Sequence, residues 1–207
     1  MSYVSRRVFT GLVIASALVP ALSAEAPRFG AQFSLVQPLG DLKGFNSRVG
    51  CALAATMEIS LDAHQALRPR IEFTQSRDQT QKEVENIPYY SYSYTFSDTF
   101  SYKHYYLGAD YLVRPSAANQ GVYLFLGLGL CKSSLKQGLS LVVTDNSSGA
   151  VIDSDSRDTS SDQTRMAFSA GLGYNLNRQW GLESKLTVSD FNGMSLSWVS
   201  VGATLRF

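Results

Sequence analysis

Alternation of apolar and polar residues with a period of two dominates the chain. That period puts every second side chain on one face of a strand, whereas a helix repeats every 3.6 residues. Eight segments carry it: Phe29 to Val36, Arg48 to Ile59, Leu67 to Gln75, a segment ending around Tyr105 to Val113, Val122 to about Lys132, Thr164 to Tyr174, Trp180 to Val188, and the terminal "VSVGATLRF". In the fifth, Val122, Leu124, Leu126, Leu128 and Leu130 share a face; in the last, Val199, Val201, Ala203, Leu205 and Phe207 do. The expected fold is all-β.

The connections alternate in length. "SLDAHQA", "RPSAANQG" and "NLNRQ" are short, and the intervening ones, about 37–47, 76–101, 132–163 and 189–195, lie on the opposite side. Short turns on one side and longer loops on the other are expected of an outer-membrane barrel. The bulky faces lack charge over nearly the full strand length, as a lipid-facing surface requires, since an ionic side chain at the bilayer midplane costs roughly 2–4 kcal/mol. The opposite faces are rich in Gly, Ala, Ser and Thr, which suits the narrow interior of an eight-stranded barrel. The reading is an eight-stranded antiparallel up-and-down transmembrane β-barrel with a filled polar lumen.

This parity assigns Arg48, Glu58, Arg68, Arg70, Glu72, Asp110, Arg165, Glu183, Lys185 and Arg206 to the lumen. Near-equal numbers of each sign suit a buried network in which every ion needs a partner. Glu58 is expected to pair with Arg68 or Arg70 across their shared turn, and Arg206 with a carboxylate near the periplasmic rim. Cys51 falls on the lipid face and Cys131 on the lumen face of non-adjacent strands, so both are expected as free thiols.

Composition changes the picture at one end. Arg6 and Arg7 precede the apolar "GLVIASALVPALSA", which reads as a signal peptide over residues 1–24 and leaves 25–207 as the barrel domain. The two arginines also resemble a twin-arginine signal, but this fold should cross the inner membrane unfolded. The net charge of +1 gives no electrostatic argument for nucleic acid.

"FGAQFSLVQPLGDLKG", "LRPRIEFTQS", "LGADYLVRP", "GVYLFLGLGL", "AFSAGLGYNLNRQWGLESK" and "VSVGATLRF" occur in that order. Together they resemble the small outer-membrane β-barrels of the OmpX and opacity-protein type. The resemblance implies a monomer in the bacterial outer membrane. It also implies that Val201, Ala203, Leu205 and Phe207 form the signal read by the barrel-assembly machinery. Functions of such barrels range from adhesion to lipid modification, so fold alone does not assign one.

One segment stands apart. In "YYSYSYTFSDTFSYKHYY", Tyr90, Tyr92, Tyr94, Phe96, Phe100 and Tyr102 share the lumen parity, so the apolar side switches faces near Lys103. The neighbouring strand does likewise: beyond Leu130 its apolar residues become Leu135, Leu139, Leu141 and Val143. Two strands are therefore expected to leave the membrane together as a ribbon with one apolar face. That face is either a small extracellular core or a surface for an extracellular protein or other surface ligand.

No zinc spacing, phosphate loop or nucleophile elbow is present, and no cofactor or metal is expected. His64 is placed in a periplasmic turn and His104 in an aromatic belt at the outer rim. Acidic "DSDSRD" reads as a mobile polar loop. The expected role is non-enzymatic: surface interaction or envelope integrity through the extracellular loops. The alternatives are a lipid-A-modifying enzyme using His104 and a narrow-channel porin.

Overall fold

A computed structural model describes residues 26–86, 91–116 and 120–207; the expected signal peptide and Tyr90 lie outside them. Nine antiparallel strands are present: β1 (Arg28–Leu39), β2 (Gly50–Ser60), β3 (Gln65–Gln75), β4 (Gln79–Asn86), β5 (Tyr92–Val113), β6 (Gly121–Asp145), β7 (Val151–Asn175), β8 (Trp180–Phe191) and β9 (Met194–Arg206). Among the described residues a single short helix, α1 (Gly40–Phe45), follows β1. No helix of the described residues is long and apolar enough to cross a membrane.

The ring closes in two places. β1 pairs with β9, and β3 pairs with β5 from Gln65↔Val113 to Gln75↔Lys103. Phe29 and Phe207 exchange backbone hydrogen bonds at 3.3 and 3.0 Å at the seam. The barrel therefore has eight staves, and β4 is an upward continuation of the third, also paired with β5. The ninth strand arises because Asn46, fully buried, inserts its amide where that stave is interrupted. Its Nδ2 donates to the carbonyls of Arg77 at 2.7 Å and Phe100 at 3.0 Å. Asn46→Ala is expected to cost about 1–3 kcal/mol, the usual penalty for stranding buried polar groups. Faster amide exchange in β4 checks this, and unchanged β4 protection would refute it.

Outward positions form a continuous apolar belt. Phe33, Leu53, Ile71, Leu126, Phe168, Leu182 and Val201, one from each of seven staves, are all at least half exposed. At one end Tyr111, Tyr174, Trp180 and Phe207 form an exposed aromatic girdle, as at a membrane interface. Cys51 is exposed, Cys131 is buried, and both are free.

The segments expected as the two longest loops are mostly strand. β6 and β7 stay paired to Thr144↔Val151, and β4 and β5 to Asn86↔Ser93. At 25 residues each, β6 and β7 run roughly 80 Å at 3.3 Å per residue, far more than the 9–11 residues a tilted strand needs to span a bilayer. "DSDSRD" lies within β7 with its backbone paired to β6, for example Leu139↔Arg157. Its polarity reflects water on both faces, not absence of a ladder. Above the belt, β4, β5, β6 and β7 thus form a four-stranded sheet.

Candidate functional site

The lumen is filled in three tiers. In the middle, Arg68 donates to Asp110 at 2.9 Å and to Glu183 at 2.6 Å. Arg70 meets Asp110 at 2.5 Å, Glu183 at 2.9 Å and Glu72 at 3.4 Å, and Lys185 binds Glu72. Three cations face three carboxylates, every one buried. Two glycines make room: a Cβ at Gly127 would collide with the Asp110 carboxylate, and one at Gly173 with the Tyr123 ring.

Below the ions, Ala66, Leu112, Tyr123 and Phe125 form an apolar cluster, and Arg68 lies over the Phe125 ring at 4.9 Å. Arg206 reaches this tier. Its guanidinium donates to the Tyr123 hydroxyl at 3.5 Å instead of meeting the expected carboxylate, because Glu183 is already held by both Arg68 and Arg70. Glu58 binds Arg114 at the rim instead of Arg68 or Arg70, whose forks are occupied deeper in. Above the ions, Val36, Leu42, Tyr102, Tyr106, Phe191, Leu196 and Trp198 close the outer end.

Two residues assigned to the lumen lie outside it. Arg48 precedes β2, is exposed, and donates to the Asp78 carbonyl at 2.8 Å. Arg165 has inward parity but lies beyond the last β7–β8 pair, Phe168↔Val188, where the strands part and its half-exposed side chain meets Asp190 at 3.8 Å. Parity gives the face of a residue, not its height.

His104 is also corrected. It is buried in the lumen, not set in an outer belt. Its ring stacks on Trp198 at 4.6 Å and 3°, and its Nδ1 lies 2.8 Å from Ser133 Oγ. Alternation cannot bring Ser133 to His104, because the two are 29 positions apart on adjacent strands. The ring–hydroxyl pair faces away from lipid within the plug, between Tyr102 and Tyr106 of β5 and against Trp198. Among the described residues no group of three His, Cys, Asp or Glu side chains is placed to hold a metal.

The outer sheet is the least enclosed region. Of the aromatic run, Tyr102 is buried in the plug, so it offers no surface, and Phe100 stacks on Phe45 of α1 at 5.0 Å. Above them Asp98 accepts two hydrogen bonds from Gln137 at 3.0 and 3.2 Å. Tyr92, Tyr94 and Phe96 lie beyond this ceiling. On the same face, Phe96 pairs with Leu141 and Tyr94 with Val143, while Leu139 sits opposite Asp98. Phe96 and Leu139 are each 46% exposed. Glu83 and Glu85 of β4 flank this strip on one side, and Asp153, Asp155 and Arg157 of β7 on the other. An open groove of about 690 Å3 runs along Phe96, Leu139, Leu141, Glu83 and Asp155. The reverse face carries hydroxyl rows such as Ser97–Ser140–Ser156. At the tip, the Ser147 hydroxyl and N–H hold the Asp145 carboxyl below its usual range, keeping the turn anionic.

The same architecture recurs among solved structures. Ail, the attachment invasion locus protein of Yersinia pestis, superposes with a TM-score of 0.51 at 12% identity, over 87% of this chain and 97% of that one. The N-terminal barrel domain of Pseudomonas aeruginosa OprF gives 0.46 at 9% identity, over 87% and 97%. CarO2 of Acinetobacter baumannii gives 0.44 at 13%, over 87% and 98%. At 12% identity the likeness to Ail speaks of fold alone. No curated protein matches the chain in sequence. The family model described as "Outer membrane protein beta-barrel domain" matches residues 9–207. Matched over nearly its whole length, the chain belongs to the family of outer membrane protein beta-barrel domains and resides in the bacterial outer membrane.

Proposed function

We propose that the protein is a monomeric, non-enzymatic surface-interaction protein that acts through the outer sheet of β4–β7. One observation carries this reading. The sheet continues far above the apolar belt and presents a half-exposed apolar strip bordered by charged residues. Exposed apolar patches rimmed by polar groups mark interaction sites. The ion tier and apolar plug favour a filled lumen over a channel, and the enclosed His104–Ser133 pair favours a structural over a lipid-modifying role. Val201, Ala203 and Leu205 of β9 and Phe207 just after it line one outward row, consistent with presentation to the assembly machinery.

The test is excision of 78–100 and 138–158, which leaves Gln137 opposite Thr159 and Ser76 beside Tyr102. Cells displaying the shortened barrel are expected to lose the adhesion and protein binding conferred by the full chain. Undiminished adhesion and binding would overturn the proposal.

A further inference from the structure

The groove has a polarity that selects its occupant. Its floor is Tyr94, Phe96, Leu139, Leu141 and Val143 on the two central strands. Its walls are the outer strands: Glu83 lies opposite Phe96, Glu85 opposite Tyr94, Asp155 opposite Leu141 and Asp153 opposite Val143. The Phe96–Leu141 and Tyr94–Val143 rows thus carry a carboxylate on both sides, while Leu139 lies between Asp98 and Arg157. Asp98 closes the lower end, and Arg157, opposite Leu139, is the one cation of this face among these rows. The lysine of β4, Lys82, pairs with Ser97 and belongs to the reverse face.

Resting on the surface-interaction reading, we propose that this groove binds an amphipathic, cationic polypeptide segment. Its apolar side would lie on the Phe96–Leu139–Leu141 floor and its Lys or Arg side chains would meet the Glu83/Glu85 and Asp153/Asp155 walls. The dimensions agree. Four strands at about 4.8 Å spacing set the walls roughly 14 Å apart, and a helix with its side chains is about 10–12 Å across. A second copy of this chain is disfavoured, because joining two such faces would set carboxylate walls together. An acidic segment is disfavoured for the same reason. Bare burial of the strip would not need the walls; the carboxylates flanking both sides of the Phe96–Leu141 and Tyr94–Val143 rows add specificity and steer association.

The probe is a fluorescent 18-residue Leu/Lys peptide with helical amphipathic spacing. Its comparators are a scrambled peptide of the same composition and a Leu/Glu counterpart. Anisotropy is read with the full mature chain in zwitterionic nanodiscs, after subtraction of empty discs. The Leu/Lys peptide is expected to bind best, and to weaken at least about tenfold with Phe96→Ser/Leu139→Ser and about fivefold with Glu83→Gln/Asp155→Asn. Higher salt should weaken it further, and Thr95→Ala/Ser140→Ala on the reverse face should leave it unchanged. Equal binding of the Leu/Glu or scrambled peptide, or indifference to either groove variant with the barrel's circular dichroism intact, would overturn the assignment. If excision of the sheet abolished adhesion while the three peptides bound alike, only the cationic partner would fall and the surface-interaction reading would stand.

Discussion

Replacing Glu183 with alanine is expected to destabilise the barrel by about 3–5 kcal/mol, the cost of leaving buried charge without its partner. Glu183 accepts from both Arg68 and Arg70 and also from the Tyr123 hydroxyl at 3.0 Å. Its removal turns three cations against three carboxylates into three against two. No water-facing route relieves the excess, because the apolar tiers lie on either side. Glu58→Ala should cost far less: Arg114 at the rim keeps 14% of its side-chain exposure and can hydrate. Urea unfolding of both variants in lipid vesicles measures the contrast, and a Glu183→Ala loss no larger than that of Glu58→Ala would contradict the network's role.

The second large effect separates two leucines of nearly equal exposure. Leu128 is 48% exposed and Leu139 is 46% exposed, on the same strand. Their solvents differ. Leu128 has outward parity within the belt, whereas Leu139 faces the groove beyond the switch of apolar side. Leu128→Arg is expected to cost roughly 2–4 kcal/mol, the price of an ion near the bilayer midplane. Leu139→Arg should cost far less, since it meets water and Asp98, and the repulsion from Arg157 opposite it is screened by solvent. The same vesicle unfolding titration reads both. Equal losses would mean that the belt and the groove share one environment.

The architecture was legible because a barrel enforces parity on every stave. Leu124 to Leu130 outward and Arg68, Arg70, Glu72 inward follow from the period of two alone. Height was not legible, which is why Arg48 and Arg165 were placed among ions that lie deeper. Partner choice was illegible too. Nothing in the alternation gives Glu58 to Arg114 or sets Ser133 beside His104, since those contacts depend on register between staves. The lumen faces read as small, yet Tyr123, Phe125 and Trp198 fill them, and the glycines opposite are the counterpart of that bulk.

The outer sheet was read half correctly. The change of apolar side near Lys103 and beyond Leu130 was visible in single strands, but the polar strands β4 and β7 look like loops until their ladders are seen. A strand with water on both faces has no apolar period to announce it. Tyr102 was grouped with the surface aromatics because parity does not reveal the plug that buries it.

The central claim is that β6 is one continuous strand whose apolar side meets lipid below Cys131 and the groove above it. The most direct measurement is a nitroxide scan along β6 from Val122 to Val143, in a background lacking Cys51 and Cys131, reading accessibility to oxygen and to a water-soluble nickel chelate. The account expects oxygen accessibility to peak at even positions through Leu130. Above Lys132 it expects the even-position oxygen peaks to vanish and chelate accessibility to rise on both faces, at Leu139 as at Lys136. Oxygen peaks that continue at even positions above Lys132, or a Leu139 position shielded from the chelate, would contradict it.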